Sequence, residues 1–292
     1  MQTKCNQCPR KCNADFKARD KFGFCGAPVL PKIARAGLHF GEEPCISGEN
    51  GSGTIFFSGC NLKCVYCQNY DISNQNFGYA VSINRLAEIF KELEQGGAHN
   101  INFVTPSHYI HAIKEALNIY KPNIPLVYNS SSYDDINVVK ENIFDIYLLD
   151  FKYFDNLKAQ KYSFVNNYFE IATKFIKAAY MQKEIPVFKN GIMQSGVIIR
   201  NMILPLCTND SIKVIDWVKE NAENAYFSLL AQYTPCFKAE EFKEINRTIT
   251  KREYNKVVEY LLNKNLKNAY VQDYNSFGRE FTPKFDGFGV IR

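Results

Sequence analysis

The chain has 292 residues, of which 46% are hydrophobic and 22% are charged, and its formal net charge is +5. These values are ordinary for a globular enzyme with one large domain and small additions, and they exclude a disordered or fibrous chain. No apolar run approaches the length of a membrane span, and no block of Lys and Arg is long enough to bind nucleic acid. We therefore expect neither a membrane nor a nucleic acid as a partner.

Cysteine usage indicates a reducing compartment. The chain contains ten cysteines, and its first five residues have no feature of a secretory signal. Thiols that stay reduced more often bind metal than pair as disulfides. We therefore expect a cytoplasmic protein whose cysteines bind metal.

Residues 1–50 are predicted to form a small Cys-rich extension. Cys5, Cys8, Cys12 and Cys25 stand close together in sequence and can enclose one metal centre, which such a short stretch needs because its core is small. Zinc and a second iron–sulfur cluster both take four thiolates, so the identity of this metal stays open. Cys45 is either a replacement ligand or a free buried thiol.

The first predicted strand, residues 54–58, leads into three cysteines at C-x3-C-x2-C spacing. Cys60, Cys64 and Cys67 can hold three irons of one [4Fe–4S] cube and leave the fourth iron without a protein ligand. A structural zinc site would need a fourth ligand nearby, but the next cysteine in sequence is Cys207. The spacing therefore favours an open iron–sulfur cluster over zinc.

This segment closely resembles the cluster motif of the radical SAM superfamily. In that superfamily the open iron binds the amino and carboxylate groups of S-adenosylmethionine, and an aromatic residue before the last cysteine lies against the adenine. Tyr66 occupies that position here. The resemblance thus implies a [4Fe–4S] cluster and S-adenosylmethionine as cofactors.

From residue 53 onward, short apolar strands alternate with amphipathic helices, which is the pattern of a parallel sheet. Ser82 and Asp210 are predicted helix caps, Thr250 and Glu253 form a predicted capping box, and the Asn-Gly pair at 190–191 predicts a hairpin. Six strand–helix units favour an open, partial barrel. The further predicted strands are 101–105, 125–128, 145–150, 196–204 and 225–231, and a long helix is predicted at 168–182.

The ends of these strands carry the candidate cofactor residues, because ligands of parallel α/β folds bind at the carboxyl edge of the sheet. A zwitterionic ligand with a ribose needs small polar and charged groups around it. Arg200 or Lys152 could pair with its carboxylate. Ser130 and Asp150 could bind ribose hydroxyls, the amino group or a cation.

A narrower resemblance covers residues 5 to 272. The segments 150–152 and 198–205 are similar to those of pyruvate formate-lyase activating enzymes, which install a glycyl radical. The whole chain looks more like the less characterised activating enzyme-like relatives. It shares with them the N-terminal Cys-x2-Cys-Pro-Arg-x-Cys and Gly-x-Cys-Gly elements and the segments 42–48, 105–109 and 232–235.

This resemblance implies an α/β fold with a partial (βα)6 TIM-type barrel at residues 51–240, followed by a C-terminal helix, strand and tail at 241–292. It implies reductive cleavage of S-adenosylmethionine to a 5′-deoxyadenosyl radical that abstracts hydrogen. A one-electron donor such as flavodoxin or ferredoxin would reduce the cluster, and an anaerobic context is expected. The implied substrate is a glycyl-radical enzyme.

Two departures from the activases leave other functions open. Residues 105–107 read Thr-Pro-Ser where activases have Gly-Gly-Glu, and residues 129–132 read Asn-Ser-Ser-Ser where they have Asp-Thr-Asn-Gly. A radical SAM reaction on a small molecule or peptide is one alternative, and a non-enzymatic electron carrier is another. The aromatic tail at 274–288 is either a lid over a small ligand or a surface-packed terminus.

Overall fold

A computed structural model describes residues 5–15, 23–278 and 280–291 of the chain. Residues 1–4 and 16–22, which belong to the predicted N-terminal extension, lie outside the described residues. So do Arg279, in the predicted tail, and the last residue. Cys5, Cys8, Cys12 and Cys25 are all described.

One large sheet organises the described residues. Its strands are β1 (Lys32–His39), β2 (Ser52–Phe57), β3 (Tyr79–Ala80), β4 (Ile101–Val104), β5 (Leu126–Ser130), β6 (Ile146–Asp150), β7 (Val187–Lys189), β8 (Ile192–Met202), β9 (Tyr226–Leu230) and β10 (Ala269–Val271). Their order is β10-β9-β8-β6-β5-β4-β2-β1-β3, with β7 paired to β8. The run from β2 to β10 is parallel, whereas β1, β3 and β7 pair antiparallel. The sheet is open at both ends, which confirms the predicted partial barrel.

Helices connect the parallel strands. They are α1 (Pro44–Ser47), α2 (Tyr70–Ser73), α3 (Ile83–Gln95), α4 (Ile110–Ile119), α5 (Asn137–Lys140), α6 (Asn156–Ser163), α7 (Tyr168–Gln182), α8 (Thr208–Asn221) and α9 (Lys251–Lys264). Ser82 caps α3, and Thr250 and Glu253 form the predicted capping box of α9. Within the described residues no helix combines the length and the apolar character that a membrane crossing requires.

The predicted cap at Asp210 is wrong. Helix α8 starts after Cys207, so Asp210 lies inside its first turn. The carboxylate is buried and accepts hydrogen bonds from the backbone nitrogens of Phe154 and Asp155, both at 2.9 Å. Asp210 therefore fixes the loop that follows β6, a contact between distant segments that helix-cap patterns do not reveal.

The sheet crosses both predicted domain boundaries. Strand β1 of the predicted extension pairs with β2, and β10, which follows residue 240, adds a seventh parallel strand beside β9. The boundaries at 50 and 240 stay predictions, but the sheet is continuous across them.

A short N-terminal helix forms the floor of the barrel lumen. Pro44 occupies the first turn of α1, where its missing N–H costs no hydrogen bond. Cys45 and Ile46 are buried against an apolar group on the inner face of the strands that includes Leu148 and Ile198. Cys45 is thus the free buried thiol of the two alternatives, and α1 covers the amino-terminal part of the lumen.

The C-terminal tail spans the open side of the barrel. Near β10, the Gln272 side-chain oxygen accepts a hydrogen bond from the Ala231 nitrogen at 2.9 Å. At the opposite edge, Ala36 of β1 donates to the Phe288 oxygen, also at 2.9 Å. Gly289, with φ +70°, sits so close to β1 that a Cβ would lie 2.0 Å from the Ala36 oxygen. The described residues between these attachments therefore pass across the opening of the barrel.

Candidate functional site

A cavity of about 520 Å³ lies at the carboxyl ends of the parallel strands. It is the place where ligands of parallel α/β folds bind. Eight residues proposed from the sequence line this single cavity, namely Cys60, Cys64, Tyr66, Cys67, Ser130, Asp150, Lys152 and Arg200. The structure therefore brings together the predicted cluster ligands and the predicted cofactor residues.

Each cysteine of the C-x3-C-x2-C loop accepts one hydrogen bond at its sulfur. The Leu62 nitrogen donates to Cys60 at 3.4 Å. The hydroxyls of Ser163 and Ser73 donate to Cys64 at 2.9 Å and to Cys67 at 3.2 Å. Such donors stabilise thiolates and tune a bound cluster. The residues present thus fit a [4Fe–4S] cluster.

Burial of the loop affects how a cluster can enter it. Desolvation raises the pKa of Cys64, and it raises the pKa of Cys67 to about 12. These thiols are neutral at pH 7 until iron displaces their protons. Loading of the loop must therefore release protons.

Tyr66 stands in an aromatic wall of the cavity. The residue is buried, and its ring meets those of Tyr153, Tyr162 and Tyr233 edge to face at 5.7–6.5 Å between centroids. Its hydroxyl shares a 2.5 Å hydrogen bond with that of Tyr153. The wall holds the Tyr66 ring in place, which suits the predicted contact with adenine.

A row of charged side chains runs from the cysteine loop into the lumen. Lys152 donates to Asp150 at 2.8 Å, and Arg200 donates to the other oxygen of Asp150 at 2.7 Å. Burial alone would lower the pKa of Lys152, but the charge of Asp150 raises it. Burial likewise opposes ionisation of Asp150, yet Arg200 and Lys152 lower its pKa. All three side chains are therefore charged at pH 7.

Arg200 is already bonded to protein acceptors. Besides Asp150, its guanidinium donates to Glu42 and to the Asn129 side-chain oxygen, both at 2.8 Å. Glu42 in turn accepts from Asn102 and Asn129 at 3.0 Å. The predicted pairing of Arg200 with the carboxylate of S-adenosylmethionine stays a prediction, and Lys152 lies nearer the cysteine loop.

Glu42 and Glu43 line the cavity and were missed as site residues in the sequence analysis. The available signal was a pair of carboxylates placed directly before the Pro-Cys-Ile run at 44–46. That run is too short to reveal that it enters the lumen. Ser130 lines the cavity, and its hydroxyl accepts a hydrogen bond from the Ser132 nitrogen at 3.1 Å, which stabilises a turn. Its predicted role in binding the cofactor stays a prediction.

The N-terminal extension packs against the cysteine loop. Arg10 donates to the backbone oxygens of Asn61 and Ser163. Cys5 and Cys25 line a separate small cavity of about 40 Å³ together with His108. In the described part of the chain, no three His, Cys, Asp or Glu side chains converge tightly enough to hold a single metal ion. The second metal centre at Cys5, Cys8, Cys12 and Cys25 stays a prediction.

Comparisons with known proteins agree with this site. A profile of the Radical SAM superfamily matches residues 54–194. Uncharacterized protein MJ0674 of Methanocaldococcus jannaschii is 33% identical over 282 residues, which cover 91% of this chain and 76% of that protein.

The solved structures that this chain resembles include two of SuiB from Streptococcus suis, one of them bound to S-adenosylmethionine. The ligand-bound structure has a TM-score of 0.50 at 15% identity and matches 73% of this chain. The other has a TM-score of 0.50 at 14% identity and matches 76% of this chain. Each match covers 48% of SuiB, so this chain spans about half the length of that protein. At this identity the likeness is one of fold.

Proposed function

This chain belongs to the radical SAM superfamily, and we propose that it cleaves S-adenosylmethionine reductively and abstracts a hydrogen atom from a substrate in the barrel lumen. The observation that carries the proposal is the convergence of Cys60, Cys64 and Cys67 with Lys152 and Asp150 on one cavity. When bound, the cluster supplies an electron to the sulfonium of S-adenosylmethionine, which yields a 5′-deoxyadenosyl radical.

The protein's own residues would hold the cluster, orient the cofactor and shield the radical from water. The hydroxyls of Ser73 and Ser163 and the nitrogen of Leu62 donate hydrogen bonds to the three cysteine sulfurs. These bonds stabilise negative charge on the sulfurs. Lys152 and Asp150 offer a cation and a carboxylate at the place where a zwitterionic cofactor would meet the loop. The apolar side chains of Val104, Met202 and Leu230 line the same cavity and exclude water from a reactive radical.

The tail favours a small molecule or a short peptide as the substrate. Ser276, Phe281 and Thr282 of the tail line the cavity, and the tail is hydrogen-bonded to Thr234 after β9 and to Ala36 of β1. An activase must admit a loop of a folded glycyl-radical enzyme, which needs an open mouth. A tail that crosses the opening narrows it, which is an argument against the activase function and for the small-molecule or peptide alternative. It also supports the tail as a lid.

An electron carrier is the weakest alternative. A protein that only transfers electrons has no use for a 520 Å³ cavity with buried charges beside its cluster. We retain a one-electron donor, such as flavodoxin or ferredoxin, as the proposed reductant of an enzyme.

The test is cleavage of S-adenosylmethionine by anaerobically reconstituted protein. Reduced wild-type protein should form 5′-deoxyadenosine, and Cys60→Ala, Cys64→Ala and Cys67→Ala should form none, because a cube lacking one of three ligands is lost or misplaced. Cys207→Ala is the matched control, since Cys207 is buried outside the cavity. Cleavage that persists in any of the three cysteine variants would refute the proposal.

A further inference from the structure

Glu43 is a buried carboxylate with an unused acceptor. The residue is only 7% exposed and lines the cavity. Its Oε2 accepts no hydrogen bond from the described residues, and the nearest cationic nitrogen, Arg200 Nη1, is 3.8 Å away. Leaving a buried acceptor unpaired costs free energy. A position that keeps such an oxygen toward a cavity is suited to a ligand that donates hydrogen bonds.

The charges that line the cavity have an acidic excess. Lys152 and Arg200 are the two cationic side chains among the described lining residues, apart from His39. Against them stand four carboxyl groups, on Glu42, Glu43, Asp150 and Asp273, and burial raises the pKa of the Glu43 carboxyl although Arg200 opposes this. A ligand that brings a positive charge to Glu43 reduces this imbalance, whereas an anion would increase it.

Position separates Glu43 from the cofactor. Lys152 follows the carboxyl end of β6 and lines the cavity together with Cys64 and Cys67. From Lys152 the row continues through Asp150 to Arg200, and only then reaches Glu43. Glu43 directly precedes α1, which covers the amino-terminal part of the lumen, whereas the cysteine loop follows the carboxyl end of β2. A substrate rather than S-adenosylmethionine would therefore sit at Glu43.

The geometry also argues against an inorganic cation. No three metal-ligating side chains converge in the part of the chain that the structure describes. Glu42, the nearest other carboxylate, already has both oxygens occupied by Asn102, Asn129 and Arg200. One available carboxylate oxygen suits a hydrogen-bonding ammonium group better than a metal ion that needs several ligands.

We propose that Glu43 binds an organic ammonium group, so that the substrate of this enzyme is an amine whose apolar part lies along Val104, Met202 and Leu230. The inference rests on the proposed function, since it assigns the substrate class of the same cavity. The ammonium group donates to Glu43 Oε2 at the floor, and the remainder of the amine extends toward the cysteine loop.

The experiment uses iron-loaded protein saturated with S-adenosylmethionine. Isothermal titration calorimetry measures how tightly it binds three probes of matched size. The probes are n-butylammonium, 1-butanol and butyrate. Butylammonium should bind at least about tenfold more tightly than the other two, because it alone supplies a charged donor. Glu43→Gln should weaken butylammonium binding by about tenfold or more. Glu49→Gln removes the same charge from an exposed position of the same segment and should leave the binding unchanged.

Three results would overturn the inference. Butanol could bind as tightly as butylammonium, butyrate could bind more tightly, or Glu43→Gln could leave butylammonium binding intact. If Glu43→Gln unfolds the protein, the three probes on the wild-type protein still decide. Formation of 5′-deoxyadenosine is measured in the same samples after reduction. Normal cleavage without ammonium selectivity refutes this inference alone, whereas absent cleavage refutes the proposed function.

Discussion

Arg200→Ala tests whether the buried charges of the lumen support the fold as well as a ligand. The guanidinium makes three hydrogen bonds of 2.7–2.8 Å, to Asp150, Glu42 and Asn129. Its side chain is only 14% exposed. The substitution removes one of the two cations of this row and leaves Glu42 without its charged partner. We expect loss of stability to be its first effect.

The magnitude follows from the donors that remain. Removing one partner of a buried ion pair typically costs about 3–5 kcal/mol of unfolding free energy. Here Glu42 keeps Asn102 and Asn129, Asp150 keeps Lys152, and the Asp150 side chain is 23% exposed. We therefore expect about 3 kcal/mol, the lower end of that range. At about 2–4 °C per kcal/mol for a chain of this size, the melting temperature should fall by about 6–12 °C.

The assay is anaerobic thermal unfolding at pH 7. Burial alone would raise the pKa of Asp150, but Arg200 and Lys152 lower it below its ordinary value. The stabilisation from this carboxylate is therefore present above its unfolded pKa of about 3.9 and is lost as the pH falls through the lower folded pKa. Lys114→Ala, which breaks an exposed ion pair with Glu141, is the control and should cost no more than about 1 kcal/mol. An Arg200→Ala melting shift no larger than that of the control would refute the reasoning.

Two further predictions concern the ends of the chain. Gly289→Ala should detach the tail from β1, because its Cβ would meet the Ala36 oxygen, and the backbone N–H of Ala36 should then exchange faster with deuterated water. Gly97→Ala, also at positive φ but in open space, is the control. Equal exchange of the Ala36 N–H in both variants would contradict the packing of Gly289 against β1. In protein whose three loop cysteines are alanine, residual zinc would mean that the N-terminal cysteines hold a structural ion, and residual iron with sulfide would mean a second cluster. Cys5→Ser in that background should release whichever metal is found. If the protein holds neither metal before Cys5 is replaced, the four cysteines do not form one centre.

Local patterns predicted most of the barrel. The six parallel strands from β2 to β9 were expected from short apolar runs between amphipathic helices, and Ser82, Thr250 and the hairpin at 190–191 follow turn and cap chemistry that acts over a few residues. Helix α6 was missed because its sequence has no strong periodic pattern. Asp210 was misassigned because its carboxylate oxygens accept hydrogen bonds from a loop more than fifty residues away in sequence.

The sequence by itself determined the cluster loop and the carboxyl-edge residues. The C-x3-C-x2-C spacing places three sulfurs on one loop whatever surrounds it, and parallel strands bring Asp150 and Arg200 side by side. Only the tertiary structure decided what lies opposite them. Glu42 meets Arg200 across 158 positions of sequence, and the tail meets β1 across about 250. No local periodicity encodes such contacts, because they arise when the α1 segment fills the barrel floor and the tail crosses the barrel mouth.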